Sequence, residues 1–239
     1  MIVYVLLGLS TLAIYLSDHL IDAQKLKKES EKRRLFFVKN AKAIQLILTA
    51  ILLTLAIASI RFLAIKTILM SCGLVFLVIA YFIFLHKIGT KHFPKEIFIA
   101  VVYSMGIFMP YLILSTEKLN YLSFLLFCSI VLLALQNLLA YSIVDKNEDL
   151  SQGFASSLLF WSEKQHKFIL NLIFIANFAL IIILFCSKPE KNIHIAILIL
   201  MQLAQMWVFY TRNQPFNKRY YRLVGDGAFL LPFLLTWID

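Results

Sequence analysis

The sequence predicts an all-α fold, a polytopic membrane bundle of about eight transmembrane helices. Hydrophobic residues occupy 61% of the 239 positions, only 15% of residues are charged, and the mean hydropathy is +0.84. Soluble domains are roughly half apolar and about a quarter charged, and a chain of this length keeps too much surface in water to hide such an excess in one core. The composition therefore excludes a soluble globule and a disordered chain.

Apolar stretches of bilayer length follow one another along the chain. They are apolar all round, without the alternation of a membrane strand, which favours helices. The first has no basic segment before it and no small-residue cleavage site, so we expect a retained span rather than a signal peptide. We treat 1–239 as one transmembrane domain with spans near residues 2–17, 42–60, 67–85, 97–115, 121–144, 168–187, 193–211 and 223–238.

The basic residues predict the orientation. If residues 18–41 are cytoplasmic, every second loop is also cytoplasmic, and these segments hold 18 of the 23 Lys and Arg residues. Positive charge collects on the cytoplasmic side of membrane proteins, so we expect a plasma (inner) membrane protein with its basic loops inside and both termini outside. The net charge of +10 is thus explained by membrane topology, and we expect no nucleic-acid partner. We infer membrane lipid as a partner and no protein partner.

Four aspartates form two pairs at the ends of spans. Asp18 and Asp22 close the first span, and Asp145 and Asp149 close the fifth. The i,i+4 spacing puts both carboxylates of a pair on one helix face, and the even number of crossings between the pairs brings both to the cytoplasmic side. Two such pairs beside basic loops suit a diphosphate held through Mg²⁺. Solvated interfacial acids are an equally weighted alternative on the residues alone.

The segment YSIVDKNEDLSQGFASSL, residues 141–158, resembles the second aspartate motif of the UbiA-type intramembrane prenyltransferases. That motif reads Y-x-x-x-D-x-x-x-D-x-x-x-G, with a Ser three residues later. The first pair is similar to the last two acids of the family's N-D-x-x-D-x-x-x-D motif, which a basic segment follows. Residues 81–96 resemble the family's basic cytoplasmic loop, and the resemblance extends over about residues 5–215. The matching positions of the second motif are Tyr141, Asp145, Asp149, Gly153 and Ser156.

Three departures from the family pattern concern the first motif. The family's Asn and first Asp fall on Ile14 and Tyr15, neither of which replaces a hard metal ligand. The family usually has nine helices, and we expect this chain to lack the helix before the first motif. The segment after Asp22 also lacks the family's usual R-P pair.

The resemblance implies a bundle around a central cavity, with an isoprenoid tail in an apolar channel open to lipid. It implies Mg²⁺-dependent transfer of that isoprenoid from a polyprenyl diphosphate to an aromatic or lipid-like acceptor. Fixed cations would stabilise the charge that develops as diphosphate leaves. The implied metal ligands are Asp18, Asp22, Asp145 and Asp149, and the implied diphosphate-binding residues are Lys25, Arg33, Arg34, Lys87, Lys91 and Lys146.

Several polar residues are candidates for the cavity or the acceptor site. His19 lies inside the first motif. Gln136 and Asn137 lie within the fifth span, where they contact a ligand or form interhelical hydrogen bonds, which is the more frequent case. Asp226 is a functional acid near the cavity or a partner of Arg222, and their i,i+4 spacing favours the pair. The candidate cavity residues are His19, Tyr141, Gln136, Asn137 and Asp226.

Two other functions compete with the transferase. A non-catalytic prenyl-lipid-binding relative is motivated by Ile14 and Tyr15, which stand where the family has Asn and Asp. A cation-coupled transporter would place its acids at mid-membrane on broken helices. The acids here lie at helix ends, and 7 Gly and 5 Pro are too few for many breaks, which counts against a transporter.

Overall fold

A computed structural model of the chain describes residues 2–23, 32–88, 95–114, 119–146, 157, 160–187 and 192–237. Every regular element in these ranges is helical, and they contain no strand. The all-α prediction is therefore confirmed. The helices are α1 (Ile2–Ala23), α2 (Lys32–Lys39), α3 (Ala41–Phe62), α4 (Ile65–Ile88), α5 (Lys95–Leu114), α6 (Tyr121–Val144), α7 (Glu163–Ser187), α8 (Asn192–Tyr210) and α9 (Pro215–Gly227), followed by a 3-10 helix (Ala228–Trp237).

Five of the described helices are long and apolar enough to cross a membrane, namely α3, α5, α6, α7 and α8. Shorter apolar helical stretches occur at Val5–Ile21 in α1 and Ile65–Ala80 in α4. Large apolar side chains such as Leu46 and Ile60 of α3 are exposed, as expected of helices whose outer faces meet lipid tails. The described helices therefore support the predicted polytopic membrane bundle.

Helix α6 lies at the centre of the C-terminal half and packs against α5, α7, α8 and α9. The helix begins after Asn120, whose side chain accepts a hydrogen bond from the Ser123 backbone N–H at 2.9 Å. Its inward faces carry small residues such as Ser129, Ala134 and Ala140, all of which are buried. Small side chains let neighbouring backbones approach closely, which explains why this helix has so many packing partners.

Polar side chains connect the helices inside the bundle. Asn177 of α7 accepts a hydrogen bond from Ser129 of α6 at 2.8 Å and donates one to Gln202 of α8 at 2.7 Å. All three side chains are almost completely buried. Gln136 of α6 donates to the backbone oxygen of Ile173 in α7 at 3.3 Å. These hydrogen bonds join α6, α7 and α8. They matter because an apolar helix face packs equally well against lipid tails as against another helix.

The N-terminal helices form a separate packed group. Helix α1 contacts α2 and α3, and it reaches the C-terminal half through α5. Leu20, Phe37 and Ile44 form the buried centre of this group, with one residue from each of its helices.

The last predicted span, residues 223–238, differs from the structure. Helix α9 begins earlier, with Pro215 in its first turn, where the missing proline N–H needs no partner. From Ala228 the chain continues as a 3-10 helix that contains Pro232. Proline has no N–H for an α-helical bond and disfavours α geometry in the residue before it, which explains why the α-helix does not continue.

Candidate functional site

Asp145 occupies the end of α6, where its backbone N–H binds the Tyr141 carbonyl oxygen at 2.8 Å. Its carboxylate forms an ion pair with Arg222 of α9 and accepts a hydrogen bond from the Tyr221 hydroxyl at 2.5 Å. Arg222 Nε donates to the Tyr221 hydroxyl oxygen at 2.7 Å. Only 13% of the Asp145 side chain is exposed, so the pairing compensates a charge that has lost most of its water.

Two aromatic rings orient the guanidinium of Arg222. It lies 5.2 Å from the ring centre of Tyr141 and 5.2 Å from that of Tyr221. The two rings are 5.2 Å apart and nearly perpendicular, with an interplanar angle of 85°. Cation–π attraction and the ion pair thus fix the same side chain, and Arg222 is held against the end of α6.

Arg222 pairs with Asp145 rather than with Asp226, which corrects the i,i+4 pair favoured by the sequence. The Asp226 Oδ1 atom instead accepts hydrogen bonds from the Tyr141 hydroxyl at 2.8 Å and from Asn137 Nδ2 at 3.1 Å. Both donors belong to α6. The i,i+4 spacing does not determine the ion pair here, because the guanidinium also reaches Asp145 at the end of α6. The ring of Tyr141 on that helix adds a cation–π contact.

Gly225 allows α9 to approach α6 this closely. A Cβ atom at this position would overlap the Tyr141 hydroxyl oxygen and lie 2.6 Å from Asn137 Oδ1. The Gly225 carbonyl oxygen accepts a hydrogen bond from Gln205 Nε2 of α8 at 3.0 Å. Glycine therefore serves helix packing here, and it sets the distance across which Asp226 meets Tyr141 and Asn137.

The first aspartate pair lies on α1. Asp18 is exposed at the surface of the described chain, and Asp22 is helical, although its side chain lies outside the described part. The His19 ring packs between Tyr15, with ring centres 4.2 Å apart, and Phe37 of α2, at 4.8 Å. Tyr15, which stands where the family has an acid, thus contributes a ring contact within this helix pair.

Several predicted site residues lie outside the described residues, namely Lys25, Lys91 and Asp149, together with the side chains of Asp22, Arg33, Arg34 and Lys87. Lys146 is described, and it pairs with Glu163 at 2.7 Å. Among the side chains that are described, no three His, Cys, Asp or Glu residues lie close enough together to hold a metal ion. How the two aspartate pairs are arranged relative to each other stays a prediction.

A buried network beside Asp145 was missed by the sequence analysis. Glu96 of α5 is only 2% exposed, and its Oε1 atom accepts hydrogen bonds from Ser142 Oγ and from the Ser157 backbone N–H, each at 2.8 Å. Ser157 Oγ lies 3.2 Å from Nδ1 of His166, whose Nε2 lies 3.0 Å from the Leu139 carbonyl oxygen. A carbonyl accepts only, so Nε2 carries the proton.

This network ties the chain after the second motif to α5, α6 and α7. The only sequence signal for it is the nearness of Ser157 to the second motif, because a lone acid before a span looks the same whether it is buried or solvated.

A family-model comparison matches residues 1–231 to the UbiA prenyltransferase family. No curated protein and no solved structure matches the chain.

Proposed function

The chain belongs to the UbiA prenyltransferase family, and on this premise we propose that it transfers an isoprenoid chain from a polyprenyl diphosphate to an aromatic or lipid-like acceptor, in a Mg²⁺-dependent reaction within the membrane. The observation that carries the proposal is Asp145 of the second motif, a largely buried carboxylate that Arg222 and Tyr221 keep in place at the end of α6. Ionisable side chains in membrane-spanning helices are costly and usually mark functional sites.

The donor set suits magnesium. Carboxylate oxygens are the hard ligands that Mg²⁺ prefers. We propose that Asp18, Asp22, Asp145 and Asp149 hold the ion. When bound, Mg²⁺ would supply positive charge to the diphosphate as this group departs.

Basic side chains would bind the remaining charge of the diphosphate. The bond that breaks joins the allylic carbon to a diphosphate oxygen, and its electron pair leaves with the diphosphate. Fixed cations stabilise this departing charge because they need no reorganisation during the reaction. The acceptor then forms a bond to the allylic carbon and loses a proton. The proposed diphosphate-binding residues are Lys25, Arg33, Arg34, Lys87, Lys91 and Lys146.

The membrane setting supports an apolar donor. Side chains such as Leu46 and Ile60 give the helices apolar outer faces, and an isoprenoid tail is as apolar as a lipid chain. We place the basic loops and the reacting end in the cytoplasm and both termini outside, because 18 of the 23 Lys and Arg residues then lie inside.

The test uses the full chain in lipid nanodiscs with farnesyl or geranylgeranyl diphosphate, with and without Mg²⁺. We expect Mg²⁺-dependent binding, measured as a rise in the melting temperature, and release of diphosphate. Asp145→Asn should lower diphosphate release by about a hundredfold or more, since it removes a ligand charge at the reacting centre. The matched control is Thr49→Ala, whose exposed hydroxyl bonds only its own helix, to the Gln45 oxygen. Folded protein that neither binds nor consumes any prenyl diphosphate would contradict the proposal.

A non-catalytic prenyl-lipid-binding role is the second candidate. It is favoured by Tyr15, whose ring packs against His19 where the family carries an acid. This alternative expects Mg²⁺-dependent diphosphate binding without product across a panel of acceptors. The same nanodisc experiment separates the two, because the transferase releases diphosphate and the binding relative does not.

A further inference from the structure

The geometry around Asp226 points to an acceptor-binding site that selects a neutral acceptor bearing an O–H or N–H donor over a carboxylated one. This inference rests on the proposed transferase function and specifies the acceptor class of the same site. The carboxylate, its two donors on α6 and the glycine that brings the helices together carry the inference.

Asp226 is held by two hydrogen bonds, and its side chain is still accessible at the surface of the described chain. Its Oδ1 atom accepts both hydrogen bonds, from Tyr141 at 2.8 Å and from Asn137 at 3.1 Å, and the residue is exposed. Two donors on one oxygen restrain the carboxylate, and within the described part of the chain no hydrogen bond reaches Oδ2, which leaves that atom for a ligand. An incoming hydroxyl or amide N–H can donate to such an oxygen, and a second carboxylate cannot.

The side-chain amide of Asn137 is turned so that its N–H group faces the Asp226 carboxylate, which leaves its own oxygen unpaired. Its Nδ2 donates to Asp226, while its Oδ1 is buried and has no hydrogen-bond partner among the residues that the structure describes. An unpaired buried acceptor is unfavourable, so the orientation persists because the carboxylate needs the donor. Flipping the amide would place two oxygens face to face, which the acid excludes.

Among the described residues, no Lys, Arg or His forms an ion pair with Asp226. Both hydrogen-bond donors, Tyr141 and Asn137, are neutral groups. Arg222, one turn earlier on the same helix, forms its ion pair with Asp145. A negatively charged acceptor would therefore meet uncompensated negative charge, and specificity of this kind arises from repulsion as much as from attraction.

The surroundings fit an aromatic acceptor. Tyr103 of α5 packs edge-on against Phe229, three residues after Asp226, at 5.5 Å between ring centres. Tyr103 and Tyr141 thus bring aromatic residues of two helices to the surroundings of Asp226. Four residues of helix span about 6 Å, so Asp226 lies about one turn from Arg222 and its partner Asp145. An acceptor bound at Asp226 would lie next to the diphosphate end of the donor.

An ionised acid among lipid-facing side chains is expensive. Leu223 and Leu230, one turn to either side, are large, apolar and exposed, as lipid- or tail-facing side chains are. An ionised carboxylate among them needs a polar partner, and acids at such positions usually mark a site.

The test compares two phenols of nearly equal size, 4-hydroxyphenylacetamide and 4-hydroxyphenylacetate, in full-length protein in nanodiscs. Their dissociation constants are measured by titration without Mg²⁺ or prenyl diphosphate, and their product yields with both present. We expect the wild type to favour the amide by about tenfold or more, the effect of one uncompensated charge in a partly dry site. Asp226→Asn should bring the ratio close to one, and Asp226→Glu should keep it.

The control is Glu163→Gln, which removes the same charge at the start of α7 and should leave the binding ratio unchanged. A wild type that favours the carboxylate or binds neither phenol overturns the inference, and so does a ratio that survives in folded Asp226→Asn. Because the wild-type ratio is itself decisive, a misfolded variant does not rescue the idea. Diphosphate release from farnesyl diphosphate without the predicted ratio refutes this inference alone. Selectivity between the two phenols in a protein that binds no prenyl diphosphate supports the phenol site and refutes the transferase.

Discussion

Tyr221 connects the acid and the base of the candidate site. Its hydroxyl donates to Asp145 at 2.5 Å and accepts from Arg222 Nε at 2.7 Å. Burial raises the pKa of Tyr221 above its ordinary value, with the Asp145 carboxylate adding to the effect. The phenol therefore stays protonated throughout the neutral range and keeps donating to the carboxylate.

Replacing Tyr221 with Phe should lower the free energy of unfolding by about 1–2 kcal/mol, since two hydrogen bonds to charged groups are lost in a partly exposed setting. The measurement is a denaturant titration in mixed micelles. The matched control is Tyr210→Phe, which removes only an exposed hydrogen bond to Asn171 and should change stability by a few tenths of a kcal/mol.

The stability difference between wild type and Tyr221→Phe should depend on pH in one direction. Because the folded state raises the pKa, the contribution of the phenol is complete below the ordinary tyrosine pKa of about 10 and falls as pH rises above it. A difference that vanished at neutral pH would show that Tyr221 does not hold the Asp145–Arg222 pair.

Gly225 makes a prediction with an internal control. Gly225→Ala should destabilise the protein by about 1–3 kcal/mol and weaken the Asp226 site, because the new methyl group overlaps the Tyr141 hydroxyl oxygen and Asn137 Oδ1. Gly227→Ala, on the same helix with nothing within 4 Å of its Cβ, should be neutral or stabilising by up to about 1 kcal/mol. Melting temperatures in nanodiscs provide the measurement, and equal effects of the two changes would exclude close helix approach as the role of Gly225.

At the scale of elements, α6 is organised by buried polar contacts. Asn177 bridges Ser129 and Gln202, so Asn177→Ala should cost about 1–2 kcal/mol by leaving both partners unpaired. The control is Asn171→Ala, also on α7, which loses only an exposed hydrogen bond from Tyr210 of α8. Denaturant titration of both variants measures the difference. A larger loss in Asn171→Ala would mean that exposed contacts, not the buried ones, join these helices.

Helix α6 also shows how far sequence patterns reach. The apolar run 121–144 was predicted as one span, and the structure has a helix from Tyr121 to Val144. Local signals suffice there, because Asn120 caps the first turn and the run is uninterrupted. At the C-terminal end, the apolar run was predicted as a span, but the start of helix α9 before it was not. The segment PFNKRYYR is polar enough to look like a loop. Helix α9 is stabilised by the packing of its Tyr221 and Gly225 against α6. Such tertiary contacts cannot be read from the local sequence.

At the scale of the molecule, membrane character follows from composition alone. The 61% hydrophobic content and the spacing of the apolar runs leave no soluble alternative. The second aspartate motif also indicated the family, which the match over residues 1–231 confirms. The partners of each polar residue within the bundle were beyond prediction, because helical periodicity defines the faces of one helix and not which helix covers them.

By itself, the sequence determined the fold class and the family, since these depend on composition, length and local spacing. Only the tertiary structure decided that Arg222 joins Asp145, 77 residues away, and that Asp226 binds Tyr141 and Asn137. The physical reason is competition. An i,i+4 pair is worth a few tenths of a kcal/mol, and a part-buried carboxylate with a tyrosine donor and two aromatic faces offers the guanidinium more.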